Sequence, residues 1–211
     1  MLKVNVYFDI DGVLIPTYRL IEDEVERRTG KPFSWDRYYL KNMGLDKKLE
    51  TTIRSMLTED FVICPNMRES DDVTVQAVMV AELISKLNMC RVAFATSRDE
   101  ELVEEATKTW LKSYIPTPCR LGVPVLWCDD KNKVKKLVDA KCDVLVEDNL
   151  DIANRASSAG IRTYLVNAKY NKGPIIPGVK RIERCDLWDI YEDMRELSQE
   201  KEFAYAGEER N

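Results

Sequence analysis

The apolar positions of this chain follow two alternating rhythms. Val4, Val6 and Phe8 recur every second residue, with Tyr7 between them, and predict a strand over residues 4–8 that stops at Asp9. Short apolar runs at 90–95, 123–127, 144–146 and 163–166 predict four more strands. Between them the spacing turns helical. Val75, Val78, Met79, Leu83 and Leu87 share one face, as do Leu102, Val103, Ala106 and Trp110. A lysine-rich helix is expected around 134–138, another over 152–159 closed by Gly160, and a last one over 187–197. Strands that alternate with helices of this length predict an α/β fold, a central parallel sheet with helices on both faces.

Residues 15–70 break that rhythm. Helical segments are expected at 18–28 and 46–56, punctuated by Gly30, Pro32 and Gly44, and strand-like alternation does not return until 61–64. The aromatics Phe33, Trp35, Tyr38, Tyr39 and Phe61 cluster here. This pattern predicts a small, mostly helical cap over 15–70, inserted after the first strand into a core made of 1–14 and 71–199. From about residue 200 the chain is polar and aperiodic, so 200–211 is expected to be a frayed tail.

Composition narrows the function classes. With 211 residues the chain can form one good-sized core and a modest insertion. A net charge of −5 argues against a polymeric nucleic-acid partner. No apolar run approaches the ~20 residues that span a bilayer, and the N-terminus lacks a signal-peptide layout, so no membrane partner is expected. Six cysteines are scattered without a C-x-x-C pair and histidine is absent, which argues against zinc and for a reduced, cytoplasmic protein. Without histidine, an acid or base working near neutral pH must be a carboxylate, Lys, Tyr or Cys.

Candidate chemistry sits where the predicted strands end. Asp9 and Asp11 follow the first strand; Thr96, Ser97 and Arg98 the second; Glu147 and Asp148 the fourth. Lys131 and Lys133 open the helix after the third. In an open α/β sheet these ends line one edge, so the groups can converge. Paired carboxylates there suit a hard cation such as Mg²⁺, and an Asp can attack phosphorus. The plainer reading of Asp-x-Asp-Gly is an ordinary turn; the later ligands of a calcium loop are missing.

Taken together, FDIDGVL, VAFATS, an upstream lysine and VLVEDNLD resemble, in order and over residues 4–151, the four motifs of the haloacid dehalogenase superfamily of phosphatases. The order differs from that of a phospho-receiver domain. The resemblance implies a Rossmann-like three-layer core and an aspartyl-phosphate mechanism. It implies Asp9 as nucleophile, Asp11 as acid and base, Thr96 on the phosphoryl oxygens, and a lysine that offsets charge. Lys133 is favoured over Lys131, because its position 15 residues before Asp148 looks like the spacing in related phosphatases. Mg²⁺ is implied on Asp9, Asp11 (through its backbone carbonyl) and Asp148.

The start of the chain, the small cap and the acidic pair look most like the 5′(3′)-deoxyribonucleotidase branch. The implied substrate is a small phosphate ester, a nucleoside monophosphate. Trp35 and Tyr38 are then candidates to stack on its base, and Ser97 and Arg98 to hold its oxygens; for the aromatics the alternative is a small cap core. Glu147 departs from the branch, where Asp is usual. The rival functions are a phosphatase for another small metabolite such as a sugar phosphate, and an idle relative that binds a nucleotide or a partner.

Overall fold

A computed structural model describes residues 3–64, 72–183 and 186–208. Its centre is a six-stranded, wholly parallel sheet in the order β3-β2-β1-β4-β5-β6. The strands are β1 (Val4–Asp9), β2 (Cys90–Thr96), β3 (Val125–Trp127), β4 (Val144–Glu147), β5 (Arg162–Val166) and β6 (Val179–Ile182). The order reverses between β1 and β4, and crevices open at such a reversal beyond the carboxyl ends of the strands.

Strand alternation decides which helices cover which face. Val4, Val6 and Phe8 point to one side, onto Ala77, Ala81 and Ile84 of α4 (Asp72–Ile84), Trp110 and Leu111 of α5 (Glu100–Tyr114), and Ile190 and Met194 of α8 (Trp188–Glu208). Ala95 and Leu145 point to the other, onto Leu137 of α6 (Lys133–Asp139) and Ile152 and Ala156 of α7 (Leu150–Ser158). The central strands are therefore buried on both sides and read as nearly unbroken apolar runs.

A second apolar cluster lies in residues 17–63. Ile21 and Val25 of α1 (Thr17–Thr29) pack with Trp35 and Leu40, with Ile53 and Met56 of α2 (Lys47–Met56), and with Val62 of α3 (Asp60–Ile63). Gly30 ends α1 in the left-handed region at φ +66°, its N–H on the Glu26 carbonyl. Asp46 caps α2 by accepting the Leu49 N–H at 2.9 Å. Tyr170, from the segment after β5, packs against this cluster.

The structure departs from the sequence expectations at four places. Of residues 61–64, expected to alternate like a strand, the first three fall in the short helix α3, whose Ile63 N–H reaches the Glu59 carbonyl; so short an apolar run fits either state. Strand β3 starts two residues later than 123, after Pro124, which has no N–H to donate. The edge strand β6 was missed because V-K-R-I carries charge at its centre, a usual feature of edges. Helix α8 continues to Glu208, through residues expected to fray, on good helix formers such as Gln199, Glu200, Lys201 and Glu202. Among the described residues no helix is long and apolar enough to cross a membrane.

Candidate functional site

The sheet register brings the sequence candidates to one edge. Asp9 pairs with Ala95, so Thr96 stands one step beyond it, while Phe8 pairs with Val146, which sets Asp9 level with Glu147. Asp9 is 3% exposed, and its Oδ1 accepts the Ile10 N–H at 2.8 Å. The helix α6 then delivers Lys133 from its first position. Its side chain is 1% exposed, with Nζ 2.9 Å from Asp9 Oδ1 and 2.8 Å from Glu147 Oε2. Lys131, the other candidate, is exposed.

Glu147 and Asp148 end β4 fully buried. Glu147 Oε1 accepts the N–H groups of Asp148 and Asn149, at 3.1 and 3.0 Å. Asp148 Oδ2 accepts from the Tyr170 phenol, and its Oδ1 has no hydrogen-bond partner among the described residues. Asn171 fixes the segment carrying Tyr170 by donating to the carbonyls of Asp148 (2.7 Å) and Val166 (2.8 Å). Asn149 caps α7 by accepting the Asp151 and Ile152 N–H groups, and Asp151 pairs with Arg155 at 3.0 Å.

Burial governs the charge states. It raises the Asp9 and Asp148 carboxyls well above the usual range, and the neighbouring Glu147 charge adds to both shifts. Burial pushes Glu147 the same way, but Lys133 and the backbone N–H groups outweigh it and hold Glu147 below its ordinary value. Asp11 is also lowered against its burial, chiefly by Arg98. Its two oxygens accept from Arg98 Nε and Nη2, each at 2.8 Å, and Oδ1 also accepts from the Thr17 hydroxyl.

The arrangement suits a divalent cation. With all four ionised, Asp9, Asp11, Glu147 and Asp148 set four negative charges against the two positive charges of Lys133 and Arg98; the two left over are what burial opposes by raising Asp9 and Asp148, and what a bound divalent cation would offset. Oxygens of Asp9, Glu147 and Asp148 all lie within 4.8 Å of one another, and the unpartnered Asp148 Oδ1 is one candidate ligand. An all-oxygen donor set fits a hard ion such as Mg²⁺. Glu147 joins this side-chain cluster, while the Asp11 carboxylate is engaged by Arg98 and Thr17 and leaves the Asp11 backbone carbonyl as that residue's candidate ligand.

Gly12 sets how closely the first loop meets Asp148. Its φ is +76°, and a Cβ there would come within 1.9 Å of Asp148 Oδ2 and 2.9 Å of the Tyr170 hydroxyl oxygen. Gly160 has a comparable φ of +88°, but a Cβ there would meet nothing within 4 Å. Each alanine variant is expected to lose about 1–3 kcal/mol to backbone strain. Gly12→Ala should lose clearly more than Gly160→Ala, because only it also displaces Asp148. Urea unfolding of the two variants side by side measures the difference, and equal losses would show that the close approach carries no energy.

The remaining candidates are dispersed. Thr96 is fully buried and its Oγ1 accepts the Arg98 N–H at 3.1 Å. Ser97 lies at the rim, donating to Asp130 at 2.6 Å. Trp35 is 3% exposed and belongs to the apolar cluster of residues 17–63. Tyr38 is half-buried, its ring centroid 5.9 Å from that of Tyr18 and 5.8 Å from that of Tyr170. The Phe61 side chain lies outside the described residues. A cleft of about 580 Å³ is lined by Asp9 and Asp11 together with Tyr38, Tyr39 and Leu57. Tyr170 and the Arg98–Asp11 pair were missed: nothing local to a lone tyrosine in a polar loop, or to an arginine after Thr-Ser, says what it touches.

No protein-family model matches the chain, and no curated protein does. Solved structures similar to it include a haloacid dehalogenase-like family hydrolase from Xanthomonas campestris, at 13% identity and a TM-score of 0.49, covering 94% of this chain and 99% of that one. An HAD family hydrolase from Deinococcus radiodurans R1, with bound phosphate and sodium, is similar at 11% identity and a TM-score of 0.46, covering 92% and 96%. An HAD family enzyme from Bacteroides thetaiotaomicron, in complex with magnesium and inorganic phosphate, is similar at 16% identity and a TM-score of 0.38, covering 79% and 95%. Of these three, the first two are named as hydrolases and the third as an enzyme of the HAD family.

Proposed function

We propose that this chain is a Mg²⁺-dependent phosphomonoesterase that works through an aspartyl-phosphate and takes nucleoside monophosphates. The observation that carries the reading is a single one. The buried Asp9 carboxylate has one oxygen tied to Lys133 and Ile10, among two further carboxylates, and lines a cleft that aromatic residues also line.

The chemistry follows from that geometry. Asp9 Oδ1 is engaged, so Oδ2 is the oxygen that attacks phosphorus as the ester P–O bond breaks. Asp11, two residues on, takes up a proton against the pull of Arg98 and gives it to the leaving alkoxide. It then takes one from the water that attacks the aspartyl-phosphate, releasing phosphate and restoring Asp9. Lys133 offsets charge on Asp9 and the phosphoryl group. The Thr96 oxygen accepts from the Arg98 N–H, which leaves its own hydrogen for a phosphoryl oxygen. Mg²⁺, held by Asp9 and Asp148 with Glu147 beside them, would neutralise the phosphate's approach to this acidic cluster.

For the substrate, Tyr39 is 36% exposed at the cleft and Tyr38 lies beside it with ring centroids 5.0 Å apart. A stacked base gains ~1–3 kcal/mol on such a face. Trp35 also lines the cleft, from within the apolar cluster of residues 17–63. A sugar phosphate is the second reading, favoured by the polar rim of Ser97, Thr58 and Asp130. Residues 15–70 serve as the cap over the core in either case. Among the described residues the cysteines form no disulfide, which suits a cytoplasmic protein.

Phosphate release from a panel of nucleoside monophosphates and sugar phosphates, with Mg²⁺ and with chelator, tests this. Release that needs Mg²⁺ and favours nucleotides is the expected result. Release from sugar phosphates alone would leave the chemistry standing and replace the substrate. Equal release under chelator would overturn the metal, and no release at all would point to an idle binder.

A further inference from the structure

We propose that Arg98 is a positioning residue that acts on the reaction through Asp11, and that it ties the Asp11 carboxyl to the end of α3 and to α5 instead of holding substrate. The inference rests on the phosphomonoesterase reading above.

The argument is a count of donors. A guanidinium has five N–H groups in one plane and accepts nothing. In Arg98, Nε donates to Asp11 Oδ2 and Nη2 to Asp11 Oδ1, both at 2.8 Å. The second Nη2 hydrogen goes to the Val62 carbonyl at 3.4 Å. Nη1 donates to the Ile63 carbonyl and the Thr107 hydroxyl, both at 3.2 Å. All five are engaged, so this arrangement has no N–H left for a phosphate or sugar oxygen, although Arg98 borders the cleft.

The division of those donors has a mechanical sense. Three of them fix the plane of the guanidinium against α3 and α5. The other two then present a rigid pair to Asp11 with the spacing of a carboxylate. Val62 and Ile63 end α3, where carbonyls lack intrahelical partners, so the arginine also satisfies them. Thr17, the first residue of α1, completes the grip on Asp11 Oδ1. The carboxyl assigned to proton transfer is therefore aimed by groups from three helices of the chain, and a shift of α3 would be felt at Asp11 through Arg98.

Lysine cannot reproduce this, because it offers one point of charge where arginine offers a planar pair. Misplacing a reacting group by about 1 Å can cost ~100-fold in rate. Arg98→Lys is therefore expected to lower kcat for p-nitrophenyl phosphate by ~10- to 100-fold with KM nearly unchanged. Its effect should largely vanish when Asp11 is already Asn, because the group it positions has gone. Thr107→Val, nearly isosteric, removes one tether and keeps the arginine. It should give a smaller fall in kcat of the same kind, and it carries the test if Arg98→Lys does not fold.

The experiment is kcat and KM for wild type, Arg98→Lys, Thr107→Val, Asp11→Asn and the two double variants, with thermal melts of each. Loss in kcat that disappears in the Asp11→Asn background supports the inference. A rise in KM with kcat intact would make Arg98 a substrate contact and overturn it, as would a loss of equal size in both backgrounds. Wild type without turnover of any ester would overturn the phosphomonoesterase reading itself, and this inference with it.

Discussion

Asp9→Asn is expected to abolish phosphate release, by ~10⁴-fold or more, while the protein stays folded and at least as stable as wild type near neutral pH. The rate follows from the loss of the attacking oxygen, since an amide cannot form the aspartyl-phosphate. The stability follows from the charge balance. Burial first, and then the Glu147 charge, raise the Asp9 carboxyl well above its ordinary value near 3.8. A carboxyl raised on folding binds its proton more tightly in the native state, so stability falls as pH rises from about 4 through the native value. The amide removes that cost. It keeps an oxygen for the Ile10 N–H, and Lys133 keeps Glu147 as its partner. Melting temperature against pH, with and without Mg²⁺, reads this beside the activity. A variant with near-normal turnover would exclude covalent catalysis by Asp9, and one that unfolds at neutral pH would show the carboxylate to be structural.

How far the sequence could be read depended on whether a residue's neighbours along the chain decide its environment. Asp9 and Glu147 follow unbroken apolar runs, and a run buried on both faces leaves its last polar residue at the sheet's carboxyl edge. Lys133 was distinguishable from Lys131 by its distance from Asp148, and the structure buries the one and exposes the other. The five strands with apolar character were readable for the same reason. β6 was not, because an edge strand with charges at its centre does not differ locally from a loop.

Other features depend on tertiary approach. The aromatics of residues 33–39 were visible as a group. Which of them fills the apolar cluster and which faces the cleft is decided by α1 and α2 closing over Trp35 and leaving Tyr39 outside. Tyr170 reaches Asp148 because Asn171 pins its loop to Val166 and Asp148. Arg98 meets carbonyls 36 and 35 residues away and a carboxylate 87 residues away. None of these distances leaves a trace in local spacing.

Lys133→Ala should be the most damaging single change at the site, because it harms fold and chemistry together. The ammonium is the cation between Asp9 and Glu147, and its removal leaves two buried carboxylates facing each other. Breaking a buried pair in this way typically costs about 3–5 kcal/mol. The pH window of the loss follows from the partners. Burial works against the charge on Lys133, but Asp9 and Glu147 outweigh it and raise the amine above its ordinary value near 10.5, so its contribution is present below about 10.5 and lost above. Glu147 is held below its ordinary value near 4.5, so its share is present above about 4.5 and lost as pH falls. Wild type and variant should therefore differ most between these limits and converge at acid pH, where the carboxylates take up protons. Lys133→Met separates the two roles: it fills the volume without the charge, and should recover part of the stability left by alanine while remaining as inactive. Lys131→Ala, on an exposed side chain, should change neither quantity measurably. Denaturation midpoints from pH 4 to 9, with phosphate release at neutral pH, decide the matter. Full activity in Lys133→Met would show that the lysine serves the fold alone, and a loss of activity at Lys131 would move the charge-offsetting role to that residue.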